Sequence, residues 1–226
     1  MREVVLDTET TGLDFKLGDR VIEVGCVELI NHVSTGKTLQ FYCSVERKIH
    51  ESASKVHGLS NDFLNKHPPF KENVESFLNF IKGDILVIHN SEFDMGFINN
   101  ELSILGMPPL KNKVIDTVSL ARKTLNSRIA NLDYLCRRFS IDLAERKLHG
   151  ALLDSQLLAE VYLELNGGKQ ISMNLQNKRA EETKTIKSQK NNPSSLLKIT
   201  PSEEEILEHK TLIKQIKNSI WEKISY

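Results

Sequence analysis

The stretch Val4-Val5-Leu6-Asp7-Thr8-Glu9-Thr10-Thr11-Gly12 limits what this chain can become more than any other. Val4 to Leu6 form an apolar run suited to a buried central strand, and Gly12 marks the turn that ends it. Side chains two apart on a strand share a face, so Asp7 and Glu9 present two carboxylates side by side. Like charges held that close at the end of an apolar strand repel each other and are costly to desolvate. A multivalent cation relieves both problems, and an all-oxygen donor set favours a hard ion such as Mg²⁺ or Mn²⁺. The plain alternative is a strand that ends in solvated acidic residues. Partner residues later in the chain decide between the two.

A chain of 226 residues is long enough for one well-buried domain plus something extra. Its formal charge is zero but unevenly spread. Residues 1–168 carry 19 Lys and Arg against 23 Asp and Glu, and residues 169–226 carry 11 against 7. A net-acidic first part argues against non-specific adhesion to nucleic acid, yet leaves room for a metal-filled acidic cleft that handles phosphates. Cys26, Cys43 and Cys136 are isolated and lack the spacing of a zinc or redox motif, which predicts core filler. The start lacks the apolar run of a signal peptide, and no stretch reaches the length of a membrane span. These features predict a cytoplasmic protein with no membrane partner.

Taken in order, the pattern predicts a second strand over 20–30 and a third over 38–45, joined as a hairpin whose turn spans Asn31 to Gly36. Short helical turns follow between Ser52 and Lys66. A helix is predicted over 70–82, with Val74, Phe77, Leu78 and Ile81 on one face. The nearly continuous apolar run over 84–90 reads as a strand covered on both sides, and a helix over 91–105 follows it directly. Val114 to Asp116 is a last short strand, with helices over 116–124, 131–139 and 150–165. This order predicts a mixed α/β sheet flanked by helices, the pattern of a ribonuclease H-like fold.

Two more groups join the paired carboxylates. Asp94 falls in the first turn of the helix after the parallel strand, at the carboxyl end where open α/β sheets place their sites. Asp94 is preferred over Glu92 because Phe93 and Phe97 pair on a face that leaves it out. His149 and Asp154 are five residues apart, roughly 140° around a continuous helix. They can meet only if His149 precedes the helix, on a backbone freed by Gly150. Asp154 would then complete a metal site, and His149, titrating near neutrality, could take a proton from water.

Together these pieces resemble the DEDDh exonuclease family, most closely its DnaQ type, the proofreading exonucleases of bacterial replicative polymerases. The resemblance rests on Leu6-Asp7-Thr8-Glu9-Thr10-Thr11-Gly12, on His89-Asn90-Ser91-Glu92-Phe93-Asp94 and on His149-Gly150-Ala151-Leu152-Leu153-Asp154. Val56-His57-Gly58 and Ala121-Arg122-Lys123 add smaller matches, and the likeness spans nearly all of residues 1–168. It implies a 3′–5′ exonuclease that releases nucleoside monophosphates. Asp7, Glu9, Asp94 and Asp154 would hold two divalent cations, with Asp7 between them, and His149 would be the general base. Glu9, Thr10 to Leu13, Val56, His57 and His89 would line the pocket for the terminal nucleotide of a DNA 3′ end. Leu13 or Phe93 would pack against its base.

Beyond residue 168 the composition changes. Gln170-Ile171-Ser172-Met173-Asn174-Leu175 resembles the family's short sliding-clamp motif, with Gln170, Met173 and Leu175 as anchors over 169–175. Residues 176–199 are basic, polar and nearly free of large apolar groups, as in a flexible linker. Thr200-Pro201-Ser202-Glu203 then reads as a helix start, with Thr200 as the cap and Glu203 three residues on. The amphipathic segment over 200–226, with Ile213, Ile216, Ile220 and Trp221, resembles in layout the tail that docks on the polymerase catalytic subunit. A small accessory subunit completes the set of partners the resemblance implies. Two other readings share the catalytic residues. One is an RNA-trimming or oligonucleotide-degrading nuclease, and the other is a non-catalytic scaffold that only binds polymerase or clamp.

Overall fold

A computed structural model describes residues 1–144, 146, 148–168 and 201–215, with backbone alone for 213–215. The chain divides into two compact units, Met1–Met173 and Asn174–Tyr226. In the first, a five-stranded sheet among the described residues has the order β3-β2-β1-β4-β5. Its central strand is β1 (Arg2–Thr10). β2 (Val21–Ile30) and β3 (Val33–Tyr42) extend it antiparallel, while β4 (Ile85–Ile88) and β5 (Val114–Asp116) run parallel to it. Parallel neighbours need helical crossovers, which α3 (Phe70–Ile81) and α4 (Ser91–Ile104) provide. Two shorter helices, α1 (Glu51–His57) and α2 (Asn61–Leu64), precede them. α5 (Thr117–Leu125), α6 (Leu132–Arg138) and α7 (Ala151–Leu165) follow β5.

Strand alternation on β1 sorts the two layers. Val4 and Leu6 face a core with Phe70, Phe77, Ile81, Phe97 and Leu102 of α3 and α4. Val5 faces the opposite core, with Ala121, Leu135, Leu158 and Val161 of α5, α6 and α7. Each fully buried phenylalanine or leucine in these layers contributes about 1.5–3 kcal/mol. Asp7 and Glu9 share the parity of Val5, so they open toward α7. All three cysteines are free and buried, as predicted for core filler.

The hairpin turn lies earlier than predicted. Asn31 and His32 both take positive φ, 51° and 69°, the two-residue turn whose twist matches its strands. β3 therefore starts at Val33, and Gly36 (φ 82°) sits inside it. There the register shifts, so residues 35–37 oppose Glu28 alone, as in an enlarged bulge.

In the second unit, α8 (Glu203–Gln215) starts two residues later than predicted. The Ser202 backbone N–H donates to Glu205 Oε2 at 2.8 Å, and the Glu205 N–H donates to Ser202 Oγ at 3.3 Å. This reciprocal box satisfies two end donors at once, whereas a cap at Thr200 needed Glu203 as its partner. Leu207 and Leu212 are exposed on it. The clamp residues Gln170, Met173 and Leu175, the linker over 176–199, and Ile216, Ile220 and Trp221 lie outside the described residues, as does the side chain of Ile213. Among the described residues no helix is long and apolar enough to cross a membrane.

Candidate active site

The carboxyl end of β1 meets the N-terminal turns of α4 and α7. Asp94, only 3% exposed, accepts a hydrogen bond from Thr8 Oγ1 at 2.7 Å. Thr8 points to the α4 layer while its neighbours Asp7 and Glu9 point to the α7 layer, so this bond pins the start of α4 to the strand end. Asn90, with φ 66° and ψ 61°, turns the chain sharply from β4 into α4 and sets Asp94 in the first turn. Glu92 is exposed, and Phe93 packs on Phe97 with ring centroids 4.8 Å apart, while Asp94 is buried at the strand end.

α7 is docked from β2. Glu23, opposite Glu9 in the register, accepts backbone hydrogen bonds from Ala151 and Leu152 and one from Gln40 Nε2 at 2.8 Å. A carboxylate there caps orphan N–H groups and meets the positive end of the helix. His149 precedes the helix, and its Nδ1 lies 3.0 Å from Asp154 Oδ2. The predicted meeting is therefore real, but Gly150 is not what permits it. Its φ of −153° is extended backbone open to any residue, and an added Cβ would meet nothing within 4 Å. The His149 N–H instead donates to the Val56 carbonyl at 3.1 Å, linking the histidine to α1.

Ligand atoms of Glu9, His149 and Asp154 all lie within 4.8 Å of one another. Burial raises Asp7 well above the ordinary aspartate range, and Asp94, Glu9, Asp154 and Glu23 add to the effect. Burial also pushes Glu9 up to about 8, reinforced by Asp154, Glu23 and Asp94 and partly offset by Arg146. Asp94 is pushed up to about 7, again by burial, against the Thr8 bond. Carboxylates that retain protons near neutrality for want of counter-charge are the donor set a divalent cation fits.

Of the expected pocket residues, Thr10 is buried and its hydroxyl donates to the Gly12 carbonyl at 2.6 Å. Leu13 and Val56 are exposed at 82% and 45%, as a base-packing or rim residue requires. His57 Nδ1 accepts from the Leu59 N–H at 3.0 Å, which puts its ring proton on Nε2. Burial lowers the pKa of His57, against an opposing pull from the Thr10 backbone. His89 Nδ1 lies 2.9 Å from Thr117 Oγ1, and burial lowers its pKa too. The loop over 10–13 is braced by Asp19, which takes bonds from Thr11, Arg47 and His50. A separate open groove of about 1000 Å³, bordered by Arg20, Arg47, Lys71 and Phe70, contains none of the carboxylates at the β1 end.

Sequence reasoning missed Glu23, Gly25 and Arg146. A glutamate inside the apolar run Val21-Ile22-Glu23-Val24 and a glycine in mid-strand were available signals of a buried partner and a close approach. Arg146 had no comparable signal.

An exonuclease family model (RNase_T) matches residues 4–162. The subunit epsilon of DNA polymerase III from Rickettsia felis is 41% identical over 222 residues, covering 96% of this chain and 97% of the relative. The same subunit from Salmonella typhimurium is 40% identical over 221 residues, covering 93% and 91%. Among solved structures, the nuclease domain of 3'hExo, a DEDDh family member bound to rAMP, matches with a TM-score of 0.63 at 18% identity. That match covers 74% of this chain and 92% of the other. Exonuclease X in complex with 5′ overhanging duplex DNA matches with a TM-score of 0.58 at 19% identity, covering 72% and 90%. At these identities the structures speak for the fold, the ribonuclease H-like one predicted. The relatives match over nearly the whole length and the family model over residues 4–162, and the chain belongs to the exonuclease family, among the epsilon subunits of DNA polymerase III, the proofreading 3′–5′ exonucleases.

Proposed function

We propose that this chain removes nucleotides one at a time from a DNA 3′ end, with Asp7, Glu9, Asp94 and Asp154 as cation ligands and His149 as general base. The observation that carries the reading is the convergence of Glu9, His149 and Asp154 within 4.8 Å, beside two further carboxylates with raised pKa values. Asp7, at the centre of the repulsion, is the ligand to be shared between two sites. Bound divalent cations, Mg²⁺ or Mn²⁺, supply the charge that stabilises the attacking and leaving oxygens of an in-line displacement. His149 Nε2, with Nδ1 turned to Asp154, accepts the proton of the attacking water. The Thr10–Leu13 loop, Val56, His57, His89 and Phe93 frame the place for the terminal nucleotide.

By family the chain acts on DNA and works with its polymerase. Gln170, Met173 and Leu175 are proposed as clamp anchors, and Ile213, Ile216, Ile220 and Trp221 as polymerase contacts. A small accessory subunit is proposed as a further partner. The test is digestion of a 5′-labelled primer ending in a mismatch, with Mg²⁺, Mn²⁺ or chelator. The expected product is a one-nucleotide ladder that grows from the 3′ end and stops with chelator. Internal cuts, or a ladder that persists without metal, overturn the proposal.

A further inference from the structure

Arg146, from the segment between α6 and α7, is as buried as the carboxylate it meets: the two side chains are 7% and 5% exposed. Its Nε and Nη2 donate to the two oxygens of Asp154 at 2.6 and 2.7 Å, and its Nη1 donates to Asp133 of α6. Nη2 also lies 2.9 Å from His149 Nδ1, which is itself 3.0 Å from Asp154 Oδ2. These last two contacts conflict. A guanidinium has only donors, so Nδ1 receives from Arg146 only through its lone pair and gives to Asp154 only as an N–H. The first arrangement places the ring proton on Nε2. The second leaves Nε2 with the lone pair, and only that form takes a proton from water.

We propose that Arg146 is a positioning residue that contests Asp154 with the divalent cation and holds His149 in its non-basic tautomer until it is displaced. The inference rests on the cation-ligand reading of Asp154 given above. Arg146 occupies both carboxylate oxygens with charge-assisted bonds, so cation binding there costs the loss or sharing of at least one of them. When Arg146 yields, Nδ1–H remains bonded to Asp154 and Nε2 is freed. Loading of the site and readiness of the base then become one event. Asp133 gives the guanidinium somewhere to stay once it has yielded.

The test measures Mn²⁺ binding by calorimetry on the full-length wild type, Arg146→Gln and Arg146→Lys, with imidazole ¹⁵N resonances of His149 recorded with and without Mg²⁺. Arg146→Gln should bind Mn²⁺ roughly tenfold more tightly, the order expected for removing one neighbouring charge. Arg146→Lys, which keeps the charge but loses the two-pronged grip, should fall between that variant and the wild type. In the wild type, His149 should shift from the Nε2–H to the Nδ1–H form on adding Mg²⁺; in Arg146→Gln it should be Nδ1–H already. If Arg146→Gln is unstable, the rise of its melting temperature with Mn²⁺ gives the affinity instead. Equal or weaker affinity in Arg146→Gln, or a tautomer indifferent to Mg²⁺, overturns the proposal and leaves the cation-ligand reading standing. Failure of the wild type to bind Mn²⁺ overturns both.

Discussion

Gly25 of β2 and Ala151 of α7 lie backbone against backbone: a Cβ on Gly25 would fall 2.2 Å from the Ala151 carbonyl carbon. Ser155 Oγ seals the contact by donating to the Gly25 carbonyl at 3.0 Å. Because α7 carries Asp154 and directly follows His149, this contact sets how close both come to Glu9. Gly25→Ala should force the helix N-terminus outward, with an overpacking cost of about 1–3 kcal/mol and a larger proportional loss of exonuclease rate. Gly150→Ala, with open space around it, should leave both nearly unchanged. Melting curves and initial rates on the two variants check this, and full activity in Gly25→Ala would separate the contact from the site.

The acidic cluster predicts how stability follows pH. Glu9 and Asp94 have folded-state pKa values of about 8 and about 7, above the ordinary carboxylate range they recover on unfolding. Between those ranges the folded state holds protons that the unfolded chain does not. The resulting stabilisation is fully present below the unfolded values and is lost as pH rises through the folded ones. In chelator, the melting temperature should therefore decline from about pH 5 to about pH 8, and Mg²⁺ should flatten the slope. A flat profile in chelator would mean that these carboxylates are not short of counter-charge.

Asp7, Glu9, Asp94, His149 and Asp154 were legible because each sits in a short pattern whose geometry follows from neighbouring residues. Strand parity pairs Asp7 with Glu9, and a strand-to-helix junction places Asp94. Glu23, Gly25 and Arg146 act on partners that no local pattern announces. Glu23 meets Ala151 and Leu152 from a strand distant in sequence, and Arg146 reaches Asp154 from an irregular segment. The hairpin misled for a related reason. The expected turn ran from Asn31 to Gly36, but Asn31 and His32 alone carry it, and positive φ is uncommon for any residue but glycine.

Removing charge at Asp7 should split stability from activity. Asp7 is raised by burial first and by four surrounding carboxylates next. Asp7→Asn keeps the shape and relieves the repulsion, so its melting temperature in chelator should exceed the wild type's. Hydrolysis should fall to background, since a neutral amide is a poor ligand for a hard cation. Retained hydrolysis with Mg²⁺ would remove Asp7 from the ligand set.

His149→Gln tests the proton acceptor. A positioned general base contributes roughly 10²–10⁴-fold, so kcat should fall by that order while KM changes much less. Unchanged kcat would send the proton to another acceptor.

The chain divides into its two compact units after Met173, and the matched family region stops at residue 162. The core residues of both layers that flank the sheet fall between Val4 and Leu165. A protein ending at Gly168 should therefore fold and degrade free oligonucleotides at close to the full-length rate. It should lose capture by the polymerase subunit, because the proposed clamp and docking anchors lie beyond its end. A tethered nuclease gains effective concentration at the primer end, so truncation should slow mismatch removal during synthesis far more than hydrolysis of free DNA. Pull-downs with polymerase and clamp, run beside melting curves of both lengths, decide the matter. Unfolding on truncation would assign the tail to the core, and intact capture would move the docking surface into residues 1–168.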